Sequence, residues 1–475
     1  MPETLAGRPS DRVLKAEIDA DFVEDVSVLV QEDQKGAVLN IAVDLHPADL
    51  ASLITHLPAD EGRSLLRWLP EPHAAEVLPE LEDDFRAELL ETFSSERIST
   101  FIDALDTDDA ADVLADLPDE VVAEVLPELE DEDEIRDLLR YDEESAGGIM
   151  ETDYVSVSET MTVAEATEEV RRLAEEVDPV YVVYVVAGAD RLVGVVSLKK
   201  LLLSAAHASI RSIMEEEPVY ATPELDQEDI ARLMERYDLV ALPVVDDNRR
   251  LVGRITIDDV VDVIREEAEE DIQRMSGTQD EEITASVLSI SKGRLIWLLI
   301  GLVGALLSGL VIKGFEDVIS QVTVLAMFIP VVMAMAGNAG IQSSSIAVQG
   351  LASGDLWTSD LMPRIGKELA VSLVTGAVLA VVLGLSIWLL NSVLTSLDQA
   401  LVAGEEVLPL VLTAALALFI VIILATTIGA TVPLLLDRFS IDPALATGPF
   451  ITTSNDILGL IVYFWVATLI FPGLG

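Results

Sequence analysis

Five apolar runs, at about 295–312, 322–349, 369–397, 407–436 and 443–472, constrain this chain more than any other feature. Spanning a bilayer takes about 20 apolar residues, and a soluble fold has no use for five such runs. A polytopic α-helical domain over residues 292–475 is therefore expected. Charge divides at the same place. Of 84 acidic residues 73 lie in residues 1–290, as do 23 of the 29 basic ones, so the formal charge of −55 belongs almost wholly to the part before the first run. That part is long enough for two or three soluble domains. Its acidity argues against nucleic acid, whose phosphates it would repel, and favours cations or a very salty cytoplasm. The absence of cysteine excludes disulfides, thiolate zinc sites and cysteine nucleophiles. Met1 to Ser10 is polar, without an apolar signal segment, so the acidic part is expected in the cytosol.

With that part inside, Lys292, Arg294, Arg364, Lys367 and Arg438 fall on the cytosolic side and only Lys313 outside, as the positive-inside rule asks. Five spans then put the C-terminus outside. An acid deep in a span is costly and by default marks a function. Counted from Pro443, Asp456 lies ~20 Å along the last run at ~1.5 Å per residue. It follows Gly448-Pro449-Phe450-Ile451-Thr452-Thr453-Ser454-Asn455, small and hydroxylated side chains that let water or another helix approach. The second run carries Gly337-Asn338-Ala339-Gly340-Ile341-Gln342, which predicts a broken or closely packed helix beside a polar cavity. The two runs have opposite directions, so Asn338 and Asp456 can meet at one depth. Carboxylate and amide oxygens are hard ligands, suited to Mg²⁺ or Ca²⁺.

The soluble part holds two repeats. Leu-Pro recurs at 57–58, 69–70, 78–79, 117–118 and 126–127, and Ala-Glu-Val-Leu-Pro-Glu-Leu-Glu-Asp occurs at 75–83 and again at 123–131. Short helices in an acidic superhelix over residues 41–140 are expected, after an extension over 1–40. Asp108 and Asp112 are four apart, on one helix face, where like charges repel unless a cation screens them. Ile149-Met150 and Ile213-Met214 then each open a unit of about sixty residues. The units match at Arg191-Leu192-Val193-Gly194-Val195 and Arg250-Leu251-Val252-Gly253-Arg254, in a βαββα pattern used twice. They resemble a tandem pair of CBS domains, at 141–208 and 209–264. An acidic connecting helix at 265–291 leads to the membrane.

In this order the parts resemble the MgtE family of magnesium channels. The likeness covers nearly the whole chain from about residue 40. Its sharpest motifs are Gly337-Asn338-Ala339-Gly340-Ile341-Gln342, the Asp442-Pro443 to Asp456 run, Glu144-Ser145-Ala146-Gly147-Gly148-Ile149-Met150, and Val252-Gly253 with Asp258-Asp259-Val260. The resemblance implies a homodimer in the plasma (inner) membrane, with Asp456 and Asn338 facing a hydrated Mg²⁺. It also implies a sensor that closes the pore when cytosolic Mg²⁺ bridges its acids. The matching positions are Glu76, Asp108 and Asp112 in the helical domain, and Glu228, Asp238, Asp259 and Asp262 in and after the second CBS unit. Along the connecting or plug helix they are Glu267, Glu270 and Asp271, with Asp442 as that helix's partner at the mouth of the last span. ATP stays an open alternative: the second unit keeps Thr256 and Asp258 for an adenosine nucleotide, whereas Lys200 stands where the family has an aspartate in the first.

No glycine-rich phosphate loop ending in Gly-Lys-Ser/Thr occurs, and His46, His56, His73 and His207 form no metal-ligand pattern, so neither an ATP-driven pump nor an enzyme is expected. The rivals are another CBS-regulated ion transporter and a membrane-anchored sensor of divalents or adenylates that does not conduct. Asp456 with no intramembrane Arg or Lys speaks against anions, and a mere anchor needs no Asp456. Few of the acids fall on sensor positions, and the surplus is expected to be an adaptation to high intracellular salt.

Overall fold

The computed structural model describes residues 18–173, 177, 179–278, 287–353, 356, 361–397, 399–402, 406–439, 441–446 and 448–471. Two compact units form, one up to Arg265 and one from Glu266 onwards.

In the first unit the Leu-Pro pairs set the helix boundaries. Pro58, Pro70 and Pro118 cap the next helix with φ of −52°, −58° and −56°, and Leu57 and Leu69 before them are extended. The helices stack in two ranks, Pro47–His56, Glu71–Val77, Ser95–Ile102 and Asp119–Val125 in one, Lys35–Ala42, Ala59–Trp68, Asp83–Leu90 and Thr107–Ala115 in the other. Both copies of the repeated nine-residue string start in the first rank, two helices apart. Residues expected as an extension before 41 are partly helical: Ala20–Gln31 and Lys35–Ala42 bury Val26, Val30 and Val38 in the domain core.

The CBS pair follows. β1 (Ser156–Ser158) runs parallel to β2 (Val182–Ala187), β2 antiparallel to β3 (Arg191–Ser197), and β3 antiparallel to β4 (Glu215–Glu216). β5 (Ala241–Val245) and β6 (Leu251–Thr256) form a separate hairpin. The second unit is thus less regular than the expected repeat, its first strand reduced to a bridge from Ala221 to Val244. The opening segments are exchanged. Glu215 of the second unit pairs with Val195 of the first, and Glu151 of the first bridges to Arg254 of the second. The glycine in each Leu-Val-Gly repeat makes room for this. A Cβ on Gly194 would lie 2.9 Å from Met214 Sδ, and one on Gly253 2.8 Å from Met150 Sδ. One apolar core joins the helical domain to the second CBS unit, through Leu114, Leu138, Met150, Ile230 and Ile255, while the first unit keeps its own around Val157, Val183 and Val196. The helix after β6 runs unbroken over Ile257–Ser276, so no helix boundary falls at the expected 264/265 division.

The second unit contains five candidate spans, Ile290–Gly314, Thr323–Ala352, Met362–Ser396, Val407–Arg438 and Gly448–Ile470. The second, fourth and fifth build its core, while the first and third leave long apolar faces such as Leu298, Leu306, Val374 and Trp388 exposed. The second span is not broken: after a 3₁₀ stretch, Thr323–Phe328, its α-helix is continuous over Ile329–Ala352. Its glycines serve close approach instead. A Cβ on Gly429 would lie 2.4 Å from the Gly340 carbonyl oxygen, and one on Gly340 would overlap the Asn455 amide. Ser343 Oγ donates to the Thr426 carbonyl at 2.9 Å across the same junction. The last helix starts at Gly448, after a 3₁₀ turn at Pro443–Ala446, so Asp456 lies eight residues, or about 12 Å, into it rather than ~20 Å.

Candidate functional site

Three carboxylates from three parts of the first unit converge. Asp108 projects from the first turn of Thr107–Ala115, Glu151 from the opening segment of the first CBS unit, and Asp259 from the first turn of Ile257–Ser276. One oxygen from each lies within 4.8 Å of the other two. Asp108 is 6% exposed, and its Oδ1 has no hydrogen-bond partner. Asp259 Oδ2 accepts from Thr256 N (3.2 Å) and Oγ1 (2.8 Å). Glu151 Oε2 accepts from Arg254 Nε (2.9 Å) and Nη2 (2.5 Å), and Arg254 Nη1 donates to the Pro179 carbonyl at 2.7 Å.

Burying acids together disfavours their charged forms. Burial, with Asp259 and Asp109 nearby, holds the Asp108 carboxyl well above the usual range. Burial pushes Glu151 up to about 8 against the pull of Arg254, and Asp259 up to about 6. Asp109, half-buried and close to Asp259, goes up to about 7. Such a cluster must take up protons or a cation. Its donors are all hard oxygens, which fit Mg²⁺ or Ca²⁺ and not a soft metal.

Two of the three ligand candidates, Asp108 and Asp259, were legible from the family resemblance. Glu151, Arg254 and Asp109 were not. A signal did exist in the repeat, where Arg254 occupies the position of Val195. The other predicted sensor residues are placed separately. Glu76 and Asp238 are exposed, Asp238 at the left-handed cap of Gln227–Tyr237 with φ 52°. Asp112 is also exposed, one turn beyond Asp108. Glu228 is paired with Arg232 on its own helix. Asp262 pairs with Arg265 at 3.1 Å and, after burial, is the main cause that raises Glu80 of the helical domain. Thr256 is buried, with its hydroxyl bonded to Asp258 and Asp259, while Asp258 stays exposed.

In the second unit Glu267, Glu270 and Asp271 lie half-buried along the connecting helix. Glu270 is paired with Arg274, whose Nη1 donates to Asp442 Oδ2 at 2.6 Å, and Asp442 Oδ1 accepts from Ala444 N at 2.7 Å. Asp442 thus meets this helix through an arginine.

Within the spans, the second and fifth helices pack antiparallel, Gly340 against Ile451 and Asn455, and Ala336 against Gly459. Asn338 and Asp456 fall between these contacts along their helices. Asp456 has no paired base among the described residues, whereas Glu368, buried near the start of the third span, lies 3.6 Å from Arg364. Asn455 is buried with both amide atoms unpartnered.

Comparison with known proteins follows the same division. The family described as MgtE, divalent cation transporter, matches residues 329–466, the MgtE intracellular N domain matches 45–144, and the CBS domain matches 146–207 and 210–266. The chain is 35% identical over 449 residues to the magnesium transporter MgtE of Thermus thermophilus, covering 93% of this chain and 96% of that protein. It is 31% identical over 451 residues to the Bacillus subtilis magnesium transporter MgtE, covering 94% and 97%. Among solved structures, the cytosolic domain of the Mg²⁺ channel MgtE in complex with ATP is 36% identical and covers 51% of this chain and 99% of its own, with a TM-score of 0.47.

Proposed function

The chain belongs to the MgtE family of magnesium transporters, and from that membership we propose a gated Mg²⁺ path with Asp456 as the carboxylate that meets the ion inside the membrane. It is a multi-pass membrane protein of a transporter family, not of an enzyme class. Asp456 carries the proposal: an acid without a paired base, inside a span, level with the Asn338 amide and beside Thr452 and Thr453. So few charged groups suit an ion that keeps most of its water, as Mg²⁺ prefers. Two copies of the chain around a common axis would bring two Asp456 carboxylates to one ion and cover the exposed first and third spans. Inward flux is driven by the membrane potential, worth about 4.6 kcal/mol per 100 mV for a divalent cation, with the C-terminus outside.

Regulation is placed on the acids of the first unit and the connecting helix. Without a cation, Asp108, Glu151 and Asp259 repel or protonate, and cytosolic Mg²⁺ binds best to the arrangement that gathers them. Differential binding of that kind is what shifts a gating equilibrium, and several sites acting together supply the few kcal/mol required. Nucleotide binding has less support, since the Thr256 hydroxyl is engaged by neighbouring acids. The test is Mg²⁺ flux into liposomes holding the purified chain. Flux should fall as Mg²⁺ on the side of the acidic unit rises and should drop sharply in Asp456→Ala. Undiminished flux in that variant removes the assignment of the path.

A further inference from the structure

We infer that Glu151 is the third ligand of a divalent-cation site formed with Asp108 and Asp259, and that Arg254 is the residue that positions it; the inference rests on the sensor role proposed above. The internal repeat supplies a comparison within the same molecule. At equivalent places the opening segment of each CBS unit lies against the glycine strand of the other, Glu215 opposite Val195 and Glu151 opposite Arg254. In the first pair the acid is exposed and its neighbour is apolar. In the second, both side chains are buried, Glu151 at 5% and Arg254 at 3% exposure. A buried ion pair is commonly no more stable than the apolar pair that could replace it, and Val195 shows that this backbone accepts the apolar residue. Stability alone therefore does not account for Arg254.

Geometry accounts for it. All three guanidinium nitrogens of Arg254 are committed, two to Glu151 Oε2 and one to the Pro179 carbonyl. The fork holds the carboxylate in one orientation and engages one oxygen, leaving Oε1 for a second cation. Asp108 Oδ1, buried and unpartnered, supplies an independent sign that a ligand is missing from its hydrogen-bond set. Asp259 is held in the same way, through Oδ2 by Thr256. Charge then selects the ligand. Three carboxylates and one guanidinium leave two negative charges, which a divalent cation neutralises and Na⁺ or K⁺ does not. Because the ligands come from the helical domain, the first CBS opening segment and the helix after the second CBS unit, occupancy ties three segments together.

The test compares full-length variants in nanodiscs by thermal unfolding across an Mg²⁺ titration. Glu151→Gln should raise the Mg²⁺ midpoint by about tenfold or more, the range typical when the support of a metal ligand is lost, whatever the buried Arg254 left without its carboxylate does to the Mg²⁺-free melting temperature. The double variant Glu151→Gln with Arg254→Val, which copies the apolar arrangement of the first unit, should fold and show the same raised midpoint. A lowered Mg²⁺-free melting temperature with an unchanged midpoint, in either variant, makes the pair merely structural and overturns the inference. Asp108→Asn separates the two levels. If it shifts the midpoint and the Glu151 variants do not, only the role of Glu151 fails. If it leaves the midpoint unchanged, the sensor role fails and this inference with it.

Discussion

Mg²⁺ binding to the first unit should expel protons. Asp108 is held well above the ordinary carboxyl range, and at pH 7 without metal Glu151, at about 8, is mainly protonated, whereas Asp259, at about 6, is mainly ionised. Metal ligation needs the deprotonated forms, so binding one Mg²⁺ at pH 7 should release about one proton per chain from Glu151, with any from Asp108 in addition. Calorimetric titration in phosphate and in Tris, whose ionisation enthalpies differ, reads that number directly. Apparent affinity should rise with pH by roughly one log unit per pH unit near neutrality, as Glu151 loses its proton. Glu151→Gln should remove about one proton from the count. The linkage also has a sign without metal. The folded carboxyl values lie above the unfolded ones, so between about pH 4 and pH 8 the unfolded chain binds fewer protons, and stability falls as pH rises. Mg²⁺-free melting temperatures of the full chain should therefore decline over that window, and saturating Mg²⁺ should flatten the decline. Binding at pH 7 with no proton release, and the same affinity at pH 6 and pH 8, would refute the burial argument on which the cluster depends.

Three further outcomes follow from packing and ion pairs. Gly429→Ala places a Cβ 2.4 Å from the Gly340 carbonyl and should cost about 1–3 kcal/mol in detergent unfolding, while Gly301→Ala, with open space around it, should be nearly neutral. Arg86 is 5% exposed and donates to Asp116 at 2.8 Å and to the Leu78 and Leu81 carbonyls. Arg86→Met should destabilise the helical domain by about 3–5 kcal/mol, since a half-buried carboxylate and two carbonyls lose their donor, seen as proteolysis at lower temperature. Arg274→Gln removes the link from the connecting helix to Asp442. Hydrogen-exchange protection of residues 266–276 should fall by roughly 1 kcal/mol in low salt and by less in high salt.

Much of the fold was legible because its signals are local. The Leu-Pro pairs end helices by sterics that act between adjacent residues, which is why the superhelix appeared before any contact was known. The Leu-Val-Gly repeat located both CBS hairpins. Local signals failed where a feature depended on a partner across space. Gly337 and Gly340 left a broken and a closely packed helix open as alternatives, and only the contacts decide: the α-helix is continuous, and Gly340 admits Asn455 and the fourth span. The last run looked helical from Pro443, but a 3₁₀ turn precedes its helix and moves Asp456 nearer the start. Residues 18–40 looked like an extension because the apolar faces of two short helices are hard to recognise without the core they cover.

For function the division is similar. Five spans, an acid at Asp456 in the last of them and the acidic character of the rest are properties of residue type and order, because hydrocarbon and water sort side chains by polarity whatever the fold. Which acids form a centre is another matter. Asp108, Glu151 and Asp259 are separated by 43 and 108 residues, and their charges say nothing of one another until the exchange of opening segments brings Glu151 beside Arg254 and the shared core brings Asp108 toward Asp259. Among 84 acids, proximity and burial alone distinguish a cation site from a solvated surface. Both are set by tertiary packing, since the cost of gathering like charges depends on distance and on the water removed around them.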